Sequence, residues 1–318
     1  MKRIQNSVAT SRWALPFSVV YGILAWLGEG VFSLERLGAF AIFFVAAYLM
    51  AEINNRNAVI RVRSRMVSCA FIFLSAMLLY AISDIRIAVA QLVFIVFIGA
   101  SFAQYKDNQS TGWMFYVFVA IGIASLVWVQ FLYLLPFFLA ILVRPLYSIS
   151  FKTLNAALLG LLAPYWLVVP YMLYRGDELW IVRHVMPLAD VAPFFDYSCL
   201  TVGTMSTFLV LLVLLIVGSI HFLGNAYKDK IRTRTLYSIF MWMSLFLCIM
   251  IVVAPAYAAF FMPMLAVTVS PLASHFIVFT STRITNYFFI TMVLLIIGLT
   301  ITEVCLTPLF NYSFSMGL

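Results

Sequence analysis

Long apolar runs alternate along this chain with short polar segments, and fifteen of its nineteen Lys and Arg fall in six of those segments. An apolar run of about 18 residues or more can cross the roughly 30 Å hydrocarbon layer of a bilayer. Such runs recur from end to end of the 318 residues, so no stretch is left to fold as a separate soluble domain. Within lipid every backbone N–H and C=O must find its partner inside the protein. The expected fold is therefore all-α, a polytopic transmembrane helix bundle forming a single integral membrane domain over residues 1–318. Only 9% of the residues are charged, against about 25% in soluble domains. The net charge of +8 does not indicate a nucleic-acid partner, because the cations are scattered over interhelical segments and no basic helix face gathers them. A cytoplasmic excess of Lys and Arg accounts for them.

That rule sets the expected topology. Spans are read at about 13–33, 37–52, 66–83, 87–105, 153–174, 202–222, 236–254, 257–279 and 286–305, separated by charged segments such as Asp84-Ile85-Arg86. The run from Trp113 to Val143 would be about 46 Å long as one helix. Crossed once, it would put Lys228, Lys230, Arg232 and Arg234 on the side opposite Arg61 to Arg65. A hairpin of two short crossings, turning near Ser125 to Gln130, keeps both clusters together. The count is then about eleven spans (10–12), with the N-terminus cytoplasmic and 175–200 the longest outward-facing loop. Only Arg36, Arg86, Arg175 and Arg183 face out. The expected home is a bacterial inner (cytoplasmic) membrane, and membrane lipids are the first partners.

The apolar run from Trp13 is followed by another span and by no small-x-small cleavage site, so it reads as an uncleaved first helix. Cys69, Cys199, Cys248 and Cys305 are far apart with no CxxC pair, which points to small apolar side chains rather than metal or redox chemistry. Pro136, Pro164, Pro170, Pro263 and Pro271 lie inside apolar runs and are expected to kink or break helices. Phosphate-cradling, zinc-protease, nucleophile-elbow and dinucleotide motifs are absent. No cofactor is expected.

Charges inside spans are costly and mark function, and few are present: Glu29, Glu303, His221 and His275. No run of Asp, Glu and His crosses the bilayer, which argues against a proton-coupled pump. The outer face is richer. Glu35 and Asp84 are the candidate catalytic acids. Arg175, Asp177, Glu178, Arg183 and His184, within Arg175–His184, are the candidate substrate-binding set, since Arg forks and an aromatic suit a phosphate-linked or sugar-bearing headgroup. The same stretch also reads as an amphipathic segment lying on the interface.

Two resemblances rest on particular blocks. Leu134-Leu135-Pro136-Phe137-Phe138, Val143-Arg144-Pro145, Leu158-Leu159-Gly160 to Pro164-Tyr165 and Tyr174-Arg175-Gly176, together with Asn54 to Arg65 and Phe276 to Phe289, resemble a family of uncharacterised multi-pass inner-membrane proteins from Bacteroidota. That resemblance implies no activity. Residues 115–176, with a short hairpin, a Pro-bearing helix ending in Arg144 and a Gly/Pro-rich helix beyond, also resemble the GT-C-type polyprenyl-phosphate-sugar glycosyltransferases. That likeness implies an acid in the first outer loop that activates the acceptor or holds a metal. Here Glu35, and after it Glu29, are the positions able to take the role, and the paired carboxylate of that family is missing. Three functions stay open: glycosyltransferase-like work on envelope glycans or lipid carriers at the outer face, with a polyprenyl-phosphate-linked substrate; a non-catalytic scaffold or assembly subunit for a membrane protein partner, packed through Gly122, Ala124, Ala156, Ala157 and Gly160; and a transporter or flippase of a lipid-like solute, with Gln91, Gln130, Asn155 and His275 lining its path.

Overall fold

The computed structural model describes residues 3–30, 33–62, 64–190 and 193–314. Lys2 and Arg63, counted above among the basic segments, lie outside them. The described residues form helices and connecting turns without a strand. The chain divides into two compact units, residues 1–88 with 194–318, and residues 89–193.

The first unit contains α1 (Ile4–Thr10), α2 (Ala14–Glu29), α3 (Leu34–Asn57), α4 (Met66–Ala76) and α5 (Leu79–Ile82), then, after the second unit, α11 (Val202–Asn225), α12 (Ile231–Val253), α13 (Ala258–Phe279) and α14 (Arg283–Phe314). Its centre is α13. A helix that is apolar all round must be buried all round, and 89% of the best window within Pro255–Phe279 is. α4, α11 and α12 pack against it. Gly218 lets α11 close on α13, since a Cβ there would lie 2.9 Å from the backbone of Leu272. The hydroxyls of α13 bond inside the bundle, Ser244 Oγ donating to Thr268 Oγ1 at 2.7 Å. Pro263 and Pro271 sit within α13, which runs through both.

The unit has two chemically different ends. At one, Gln5, Ser64, Lys228 and Thr280 are stitched together: Gln5 Nε2 donates to Ile277 O at 2.8 Å, Ser64 Oγ to Ala9 O at 3.1 Å and Arg61 Nη1 to Lys228 O at 3.2 Å. At the other, Arg36 Nη1 donates to Gly30 O at 3.0 Å and Tyr197 Oη to Val252 O at 2.9 Å. Among the described residues, Arg3, Arg12, Arg56, Arg61, Arg65, Lys228, Lys230, Arg232, Arg234 and Arg283 fall at the first end, and Arg36 and Arg86 at the second. The acids divide the opposite way, with Glu29, Glu35, Asp84, Asp196 and Glu303 at the second end and Glu52 and Asp229 at the first.

The second unit holds most of α6 (Ile85–Ala103), with α7 (Thr111–Val127), α8 (Leu135–Val143), α9 (Phe151–Tyr174) and α10 (Trp180–Val185). α7 stops at Trp128, whose backbone is extended, and a 3-10 turn over Val129–Leu134 leads back into α8. The chain leaves beside Asn108 and returns there, with Lys106 N donating to Leu146 O at 2.8 Å and Ser150 Oγ to Asn108 O at 2.8 Å. The chain thus turns back within the expected stretch, at Trp128. α9 starts at a capping box of Ser150 and Thr153 and lies on α7 through facing glycines. A Cβ on Gly160 would sit 2.4 Å from Phe115 O, and one on Gly122 2.7 Å from Leu161 O. Pro164 and Pro170 lie inside α9 without ending it, while Pro136 opens α8.

Among the described residues, seven helices of 19–27 residues are long and apolar enough to cross a membrane, or eight if the α1–α2 pair, bent by 95°, counts as one span. The larger number read from hydropathy includes Met66–Ala76, Thr111–Val127 and Val129–Val143. At 1.5 Å per residue these reach about 16–26 Å, short of the ~30 Å layer. Apolar side chains cover much of the outer surface, among them Phe17, Trp166, Leu167 and Ile220. In a multi-pass membrane protein that surface faces lipid.

Candidate functional site

At the acidic end of the first unit, Ser33 caps α3 by accepting from Arg36 N at 3.2 Å, which places Glu35 in the first helical turn. Asp84 opens α6 by accepting from Arg86 N at 2.8 Å, and the Arg86 guanidinium closes on the same carboxylate at 2.9 Å. Glu35 lies close enough to Arg86 for their charges to interact. The two expected catalytic acids therefore fall at the same end of the unit, with Asp84 already committed to a cation. The Ser83 hydroxyl meets Glu29, and Gly203 admits Glu303, whose Oε1 lies 2.7 Å from where a Cβ would be. Asp196, on the same end, accepts from the Ser198 hydroxyl and backbone N–H, which hold its carboxyl below the usual range.

The expected substrate-binding residues belong to the second unit. Arg183 pairs with Asp177, and the Arg175 guanidinium stands 5.8 Å from the Tyr171 ring. Arg175, Glu178 and Arg183 are exposed. His184 is a packing residue: its ring stacks on Trp180 at 4.9 Å and its Nε2 meets Ser125 O at 3.0 Å, tying α10 to the end of α7. Leu179, Val182, Val185 and Met186 are exposed around these polar groups, an amphipathic pattern suited to an interface.

Two features were not legible in advance. The first is a buried ionic cluster at the basic end of the first unit. Asp229 and His275 have side chains 4% and 2% exposed, with Oδ2 and Nε2 3.4 Å apart. Arg61 Nη1 lies 3.6 Å from Asp229 Oδ1, its guanidinium over the Phe279 ring at 4.4 Å. His275 Nδ1 faces His221 Nδ1 at 3.4 Å, and Phe222, Tyr237 and Phe279 box the His275 ring. The buried Tyr237 hydroxyl has no hydrogen-bond partner among the described residues. The sequence showed His221 and His275 inside spans and Asp229 inside the basic run Lys228-Asp229-Lys230, but nothing that joined them. Among the described residues no three His, Cys, Asp or Glu side chains gather as a metal ion would need.

The second is a hollow of about 650 Å³ in the same unit, walled by α1, α2, α4, α13 and α14, with Leu214 of α11. Met66, Phe73, Phe276, Phe289 and Met292 form its apolar sides, and Ser7, Ser11 and Ser18 are the few hydroxyls. Ile4, Phe17 and Leu294 belong to the lining and are also exposed, so the hollow opens along that side. It occupies the half of the unit nearest the basic end, where α2, α4 and α14 begin and α13 finishes. Comparison of the chain with family models, curated proteins and solved structures finds no match.

Proposed function

We propose that this multi-pass membrane protein handles a lipid-like molecule, one hydrocarbon chain of which it holds in the hollow of the first unit. The hollow carries the reading. The hollow is apolar and open along one side, so in a bilayer hydrocarbon can enter it and cover walls that would otherwise lack packing partners. Water is a poor filler, because it needs two to four polar partners and the walls offer few. An acyl or isoprenoid chain needs no such partners, and about 650 Å³ is within the ~300–1,000 Å³ of small-molecule sites. The exposed side at Ile4, Phe17 and Leu294 gives such a chain lateral entry from the bilayer.

This reading belongs with envelope glycan or lipid-carrier metabolism in a bacterial inner membrane. The charge division between the two ends of the first unit supports a cytoplasmic basic end and N-terminus. A glycosyltransferase-like step at the opposite face is favoured by one observation, the placing of Glu35 and the Asp84–Arg86 pair at the same end of the first unit. Lipid retention tests the principal reading. The purified chain in nanodiscs is expected to keep a chain-bearing lipid through detergent washing. Ala70→Phe, which fills the hollow from α4, is expected to abolish retention without lowering the unfolding temperature. Equal retention by the two chains would remove the reading.

A further inference from the structure

α1 closes the basic end of the hollow, with Ile4, Ser7, Val8 and Ser11 in its lining. Four arginines bracket this one helix. Arg3 precedes its first turn and Arg12 follows Ser11, which closes its last. The Ser64–Ala9 bond at 3.1 Å holds Arg65 beside it, and Gln5 N donating to Asn286 Oδ1 at 3.0 Å holds the first turn of α14, which Arg283 opens. Arg65 also lies close enough to Cys69, a wall residue, for its charge to act there. None of the four pairs with a carboxylate among the described residues, whereas Arg56 and Arg61 at the same end pair with Glu52 and Asp229.

Four arginines around the helix that closes the basic end of an apolar hollow, none paired with a carboxylate among the described residues, fit an anion attached to a hydrocarbon chain. Arg offers a planar fork that matches phosphate oxygens two at a time and sheds water more easily than an ammonium. The geometry points to an anionic phospholipid, its phosphate among Arg3, Arg12, Arg65 and Arg283 and one of its chains in the hollow. A zwitterionic head carries its own cation to its phosphate and gains less from these side chains. The inference rests on the hollow taking a hydrocarbon chain, but the two fail separately.

The test is competitive retention, read by native mass spectrometry of the full chain offered phosphatidylglycerol, phosphatidylcholine and diacylglycerol with identical acyl chains. Phosphatidylglycerol is expected to be retained over phosphatidylcholine, with the preference falling about fivefold for each guanidinium removed in Arg12→Gln and Arg65→Gln. Diacylglycerol retention should not change in those variants, and Arg56→Gln should leave the preference intact. Equal retention of the two phospholipids by the unsubstituted chain overturns the headgroup assignment and leaves the hollow. Loss of preference in Arg56→Gln would mean a general surface field and also overturns it. Displacement of phosphatidylglycerol by millimolar inorganic phosphate would show an ion site rather than a lipid site. Failure to retain any of the three lipids, diacylglycerol included, removes the hollow reading and this one with it.

Discussion

Asp229 stands between Lys228 and Lys230, and the fold buries its carboxylate while leaving both neighbours exposed. Taking a carboxylate out of water costs several kcal/mol unless cations and donors replace the solvent. His275 and Arg61 do so here, at 3.4 and 3.6 Å. Asp229→Asn keeps the shape and removes the charge, so Arg61 and His275 lose the group that orients them. The expected cost is about 1–3 kcal/mol, below the value for a fully buried pair because Arg61 is half exposed. Glu52→Gln, which breaks a solvent-exposed pair with Arg56, should cost no more than about 0.5 kcal/mol. Thermal unfolding of both variants in one detergent compares them, and equal shifts would mean that the buried cluster contributes nothing special. Three residues of this cluster were visible as types and not as a group, because Arg61, Asp229 and His275 come from three separate connections and helices.

The α7–α9 pair shows what an element needs beyond apolar character. Without a strong hydrophobic drive between helices in lipid, close backbone approach supplies the contact, and Gly122 and Gly160 provide it. Gly160→Ala places a methyl against Phe115 O and should cost about 1–3 kcal/mol. Gly112→Ala, near the start of α7 with nothing within 4 Å, should gain up to about 1 kcal/mol from helix propensity. Opposite signs in one thermal series are the expected result, and a neutral Gly160→Ala would refute the close packing. These glycines were legible as small residues, and α3, α9 and α11 to α14 were legible as long unbroken apolar runs. The break at Met77–Leu78 was harder, since apolar residues continue across it and hydropathy reports solubility rather than backbone direction, whereas the turn at Trp128 was read from the charge rule instead. The hollow left no mark in the sequence, because its walls are ordinary span residues and only their packing around a gap makes a site.

In the first unit the basic residues collect at one end and most acids at the other. In the second, considered alone, Lys106, Arg144 and Lys152 lie where the α7–α8 hairpin opens, away from Asp177 and Glu178. A cysteine-free chain carrying Asp196→Cys is expected to react with a membrane-impermeant maleimide on intact cells, and one carrying Lys230→Cys only after permeabilisation. Labelling of both from outside would overturn the orientation. The first unit is also assembled from two stretches of chain separated by the whole of the second. Gln5 bonds to Ile277 and Asn286, 272 and 281 positions further on. During synthesis α1 is therefore made long before the helices it bonds to, with the whole second unit in between. The hollow acquires its walls from α13 and α14 only after that interval. A ribosome that stalls before residue 277 leaves several long apolar helices already made but the hollow unenclosed.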